Sequence, residues 1–215
     1  MGRLKRHELQ RDVQDLYSRL PYRVIALLVP FLVLAVHIGV MALTLSPQDF
    51  TAMLGLMAAY MLPPAGKETV IPIGIALGIP WWYMALSIVM IDLETGLFMA
   101  LNFEVAYRIP YLGPLLADLT KKTKLFLDYH RWLAGLWFFA IVLMVSVPFF
   151  GSGGIRGSIA GKLLGLSTLM TFLAILAGAL IGCFGIALGS DALLTHLCTT
   201  GALPAEIEGL VCGGV

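Results

Sequence analysis

Residues 50–80 read FTAMLGLMAAYMLPPAGKETVIPIGIALGIP. Phe50–Leu62 is apolar but only 13 residues long. At about 1.5 Å per helical residue it reaches about 20 Å, short of the roughly 30 Å hydrocarbon core of a bilayer. Pro63-Pro64-Ala65-Gly66-Lys67-Glu68 then breaks helix, and Val70–Ile79 is a second short apolar arm closed by Pro80. Two half-length arms around a polar tip predict a re-entrant helical hairpin at 50–80. Irregular backbone survives at membrane depth only where protein buries it or where it lines a cavity.

Composition agrees with a membrane setting. Of the 215 residues, 59% are hydrophobic and 13% charged, and the mean hydropathy is +0.90. Those values exclude a soluble globule, a disordered tail and a coiled coil, and the length suits one membrane domain. The net charge of +1 carries no nucleic-acid signature. Cys183, Cys198 and Cys212 form no CxxC, which argues against a zinc or redox motif.

Outward from the hairpin, residues 24–45 and 81–103 are long enough to span. Pro30 and His37 lie in the first; His37 reads as a packed, neutral side chain rather than a proton carrier. Trp81-Trp82-Tyr83 opens the second as an interfacial anchor. Residues 1–23 and 104–131 are polar segments with apolar residues at helical spacing, and they read as cytoplasmic amphipathic helices on the membrane surface; a solvated arm is the alternative for 1–23. Residues 132–166 repeat the short-arm pattern around Pro148 and Gly151–Gly154, and 167–188 spans again. Residues 191–215 form a tail without Lys or Arg.

Charge sets the topology. Six Lys/Arg lie in 1–23 and five in 104–131, so both segments are expected in the cytoplasm. The hairpin at 50–80 then enters from outside, and the hairpin at 132–166 enters from the cytoplasm. The tail is external, where Cys198 and Cys212 either form a disulfide or stay as thiols, while Cys183 stays reduced within a span. A shift of 87 positions places Gly66 on Gly153, Gly74 on Gly161 and Gly78 on Gly165. The predicted fold is therefore an all-α integral membrane protein, an inverted repeat of two opposed re-entrant hairpins plus transmembrane helices, as in many secondary transporters.

Charged side chains at membrane depth are the candidate site. Glu68 and Arg156 occupy corresponding parts of the two hairpins and are expected to face each other near the midplane, as a static bridge or as a substrate and ion-coupling site. Arg156 offers a bidentate fork to phosphate. Gly151, Ser152, Gly153 and Gly154 precede the following arm, so their amides can cradle an anion. Lys67 supports the same site, and Lys162 reads as an interfacial anchor. Asp92 and Glu94 are two positions apart and face different sides of one helix, so at most one lines a central cavity. Glu68, Asp92 and Glu94 are the candidates for ion coupling, by proton or sodium. Gly153, Gly157, Gly161 and Gly165 fall on one helix face, chiefly for close packing.

The KETVIPIGIALGIP and GSGGIRGSIAGKLLGL runs, with their spacing, resemble the small multidrug export protein family, within the wider DedA/VTT group. The resemblance covers roughly residues 50–190. It implies two opposed re-entrant hairpins, movement of lipids such as polyprenyl-phosphate carriers, and ion-linked drug resistance. Glu68 matches the motif acid of the first hairpin, and Arg156 resembles the basic residue of the second. The chain departs from the group in lacking a further acid in the first hairpin and a second arginine in the later one, where only Lys162 stands.

The expectation is a multi-pass plasma-membrane transporter that moves an anionic lipid headgroup. Alternatives are proton-coupled export of small cationic drugs and a non-transporting membrane scaffold. No Ser/His/Asp set is evident and the four histidines are scattered, so an enzyme is not expected. Nor is a cofactor or a metal site. Membrane lipids are the expected partners, nucleic acid is not one, and a homo-oligomer is left open.

Overall fold

The structure, a computed structural model, describes residues 20–62, 65–102, 133–147 and 153–202, with residues 209 and 212. The surface helices expected within 1–23 and 104–131 lie outside it, apart from the first residues of the first helix. Seven helices make up the described fold: α1 (Leu20–Thr44), α2 (Pro47–Met61), α3 (Lys67–Ala76), α4 (Trp81–Asn102), α5 (Leu133–Ser146), α6 (Gly153–Leu163) and α7 (Thr168–Thr200). By length and composition, α1 from Val24, α4 and α7 can each cross a membrane. The four others are short, as the sequence expects.

The sequence explains the interruptions. Ser46 caps α2 by accepting from the Asp49 amide at 3.2 Å, with Pro47 at the first helical position. Gly66, in extended backbone, caps α3, and its amide donates to Thr69 Oγ1 at 3.1 Å. The break is thus narrower than the sequence suggests. Lys67 and Glu68 belong to the first turn of α3 and not to an irregular tip. Likewise α6 begins at Gly153, so Gly153 and Gly154 are its opening turn.

Both short helices α3 and α6 end in the same way. Gly78 has φ +90° and Gly165 φ +72°, the left-handed region where a Cβ is strained. The Ile79 amide bonds the Gly74 carbonyl at 3.1 Å, and the Leu166 amide bonds the Gly161 carbonyl at 3.0 Å. These are matching Schellman turns, and they fall on two of the glycine pairs that the 87-position shift aligns.

α4 and α7 pack together at the centre. α3 leans on α7 and α6 on α4; α5 lies on α7 and α1 on α4. α1 and α4 run antiparallel: Thr44 meets Tyr83 at one end, and Asn102 Nδ2 donates to the Ala26 carbonyl at the other. Small residues allow the close approaches. A Cβ at Gly182 would stand 2.5 Å from the Ser146 carbonyl oxygen, and one at Gly178 2.6 Å from that of Val142. On α6, Gly157 abuts Val145 and Ile175, and Gly161 abuts Thr171. The expected glycine face is a packing face over three positions; the fourth, Gly165, serves the turn. The outward faces of α1 and α7 carry exposed Val24, Leu28, Leu32, Leu173 and Ile181, as lipid contact requires.

α7 departs most from expectation. It does not stop at Leu188 but continues through Gly189, Ser190 and Asp191 to Thr200, where Gly201 at φ +62° ends it. Its 33 residues reach about 50 Å, beyond a hydrocarbon core of about 30 Å. In its last turn, Cys198 forms a disulfide with Cys212 at a Cα–Cα distance of 5.7 Å, and Cys183 is a buried free thiol.

Candidate transport site

One carboxylate gathers the broken helices. Asp92, in the middle of α4, is wholly buried, as are Lys67 and Tyr60. Lys67 Nζ donates to Asp92 Oδ2 at 3.3 Å and to the Val145 carbonyl, near the end of α5, at 2.8 Å. The Tyr60 hydroxyl donates to Asp92 Oδ1 at 2.7 Å, and the Gly154 amide donates to the same oxygen at 3.1 Å. The Gly153 amide reaches the Tyr60 hydroxyl at 3.3 Å. Ammonium and carboxylate neutralise each other, and the opening turn of α6 adds its positive end. A buried pair survives only with such complete bonding.

This geometry revises the expected site. Among the described residues the ion pairs are Lys67–Asp92 and His37–Glu94, and none joins Glu68 to Arg156. The reason is helical phase. In the first turn of α3, Lys67 turns into the core while Glu68, about 100° around the helix, folds its carboxylate back against Gly66. Arg156 is half-buried on α6. The amides of Gly153 and Gly154 already serve Tyr60 and Asp92; Gly151 and Ser152 lie outside the described residues. Lys162 bonds Thr168 Oγ1 at 3.1 Å, near the exposed end of α6.

Glu94 faces the other way, as its two-residue offset from Asp92 requires. Its Oε1 lies 2.9 Å from His37 Nδ1 of α1, with side-chain exposures of 6% and 8%. Glu94 also lines an apolar groove of about 460 Å³ between α1, α2 and α4, with Leu34, Met57, Phe98 and Met99. It is the one charged residue among that lining. Phe31, Met61 and Ile155, also in the lining, are 54%, 46% and 36% exposed, so the groove opens on the apolar outer face. A second cleft of about 380 Å³ lies along the α1–α4 seam, and His37 lines it with Tyr83, Ser87 and Met90. Both volumes fall in the range of small-molecule sites.

Residues 68–184 match a family described as "Putative small multi-drug export protein". The chain belongs to this family. No curated protein and no solved structure matches it. With its three long apolar helices, this member of the export family is a multi-pass membrane protein. The matched segment contains Asp92, Glu94 and Arg156 and leaves His37, Tyr60 and Lys67 before it. Sequence reasoning did not single out Tyr60 or Val145 and did not give His37 an acidic partner. A histidine inside an apolar span was the only available signal, because its pairing with Glu94 depends on tertiary packing.

Proposed function

We propose that this protein exports small lipophilic cations, and that Glu94 is the carboxylate that receives them. One observation carries the reading: a buried acid stands as the single charged group among the described residues that line an apolar groove open to the outer, lipid-facing side. An apolar body fits against Leu34, Met57 and Met99, whose methionines adapt to varied shapes. Phe31 and Phe98, edge to face at 6.0 Å between ring centroids, present rings to a cation. Such a ligand enters sideways from the bilayer.

The anionic-headgroup reading has less support. It needs the Gly151–Gly154 amides for phosphate, and the two that are described already bond Tyr60 and Asp92. An added phosphate would compete with a carboxylate that the chain itself supplies. The scaffold reading leaves the groove acid without a role.

Alternating access between two inverted halves, with re-entrant hairpins at 50–80 and 132–166, is part of the proposal, as is the DedA/VTT kinship. Support comes from the matching turns at Gly78 and Gly165 and from the crossed packing of α3 on α7 and α6 on α4. The proposed orientation keeps the N-terminus in the cytoplasm and the tail outside the plasma membrane; the Cys198–Cys212 bridge favours an oxidising compartment.

Equilibrium binding of tetraphenylphosphonium to the purified full-length protein tests the reading. The wild type should bind. Glu94→Gln should weaken binding by about tenfold or more, the factor that about 1.4 kcal/mol of lost charge pairing gives. Equal affinity in the variant refutes it.

A further inference from the structure

The second cleft has no part in the cation reading, yet it meets the groove at one point. Glu94 lines the groove, His37 lines the cleft, and the two join across the α1–α4 seam at 2.9 Å. The polar residues of the cleft are His37, Tyr83 and Ser87. Tyr83, Ser87 and Glu94 follow one another at steps of four and seven on α4, and His37 and Thr44 are seven apart on α1, so they fall on facing stripes. At the exposed end of that seam the Tyr83 hydroxyl and Thr44 Oγ1 are 2.8 Å apart. Polar side chains thus mark the seam from the buried acid–base pair to its exposed end, among the apolar Leu32, Val36, Val40 and Leu86 that complete the cleft.

We propose that His37 exchanges protons with water through this cleft, and that each cation taking Glu94 from His37 releases one proton from the imidazole. The proposal rests on the cation reading and adds its coupling. With His37 protonated, imidazolium and carboxylate neutralise each other. A cation arriving at Glu94 leaves two positive charges on one carboxylate in apolar surroundings, which is strongly unfavourable. The imidazolium N–H bond then breaks, its electron pair stays on the ring nitrogen, and the proton passes along Ser87 and Tyr83 to water. One positive charge enters and one leaves, so the site keeps its net charge. Of the other titratable groups nearby, Asp92 of α4 faces Lys67 and Tyr60 and Asp49 of α2 bonds Ser46, while Arg156 of α6, half-buried, follows Ile155 of the groove in sequence.

The test measures tetraphenylphosphonium affinity of the full-length protein against pH, across about pH 5 to 8, where histidine titrates. Release of one proton per cation makes affinity rise by about tenfold per pH unit over the coupled range. His37→Asn keeps an N–H donor near the Nδ1 position but cannot ionise. It should bind at the alkaline end within about threefold of wild type, with the pH slope gone. If the slope persists in that variant, the proton is carried elsewhere, by Glu94 itself for instance, and the proposal is wrong. A uniform loss at every pH with the slope intact marks a merely structural histidine and overturns it equally. A pH indicator in weakly buffered wild-type protein gives a check independent of the variant: one proton per bound cation is expected, and none contradicts the proposal. Failure of the wild type to bind, or undiminished binding by Glu94→Gln, removes the cation reading itself.

Discussion

Asp92 and Glu94 illustrate how two positions separate two roles. Asp92 takes donors from three helices, α2, α3 and α6, and Lys67 supplies its countercharge. Lys67→Met leaves that carboxylate buried without a cation and should destabilise the protein by about 3–5 kcal/mol. Adding Asp92→Asn removes the charge but keeps an oxygen for Tyr60 and the Gly154 amide, so the double variant should recover most of the loss. Unfolding in mixed micelles measures both; a double variant no more stable than Lys67→Met would mean that the ion pair is not what holds the site. The acids were legible in the sequence as intramembrane charges, and their opposite facing follows from helical period. Their partners were not. Nothing in PPAGKE signals that the lysine, of a type rarely buried, turns inward, because that depends on where Gly66 starts the helix.

For the helices, the short ones were legible as interruptions, since Pro and Gly mark them directly. Their starts shift toward the N-terminus because Gly66 and Gly153 act as helix openers in this context. The end of α7 was not legible: Gly189-Ser190-Asp191 reads as a stop, but a helix leaving the bilayer tolerates a half-buried acid. Close packing makes a further expectation. A Cβ at Gly154 collides with the Asp92 carbonyl, whereas one at Gly185 meets nothing within 4 Å. Gly154→Ala should therefore cost about 1–3 kcal/mol by overpacking backbone. Gly185→Ala should be neutral or stabilising by up to about 1 kcal/mol through better helix propensity. Equal effects of the two in the same unfolding measurement would contradict the described α4–α6 contact.

Across the whole molecule, hydropathy located α1 and α4 within a few residues; that Gly78 and Gly165 end short helices at positive φ was not read from the glycine spacing. The arrangement of the halves around α4 and α7 needed tertiary contacts. Orientation has its own test. If the tail is external, a membrane-impermeant thiol reagent added to intact cells should label Cys198 and Cys212 only after an impermeant reductant has opened their bridge. Labelling that requires permeabilised cells would place the tail inside.

The central claim is cation export through the Glu94 groove, and the most direct measurement is transport by the full-length protein in proteoliposomes. Tetraphenylphosphonium flux and movement of a phosphorylated polyprenol are followed side by side under an imposed pH gradient. The account predicts tetraphenylphosphonium flux that depends on the gradient, is lost in Glu94→Gln, and is not accompanied by polyprenol transfer above that of empty vesicles. Transfer of the phosphorylated lipid without cation flux, or full cation flux in Glu94→Gln, would contradict it.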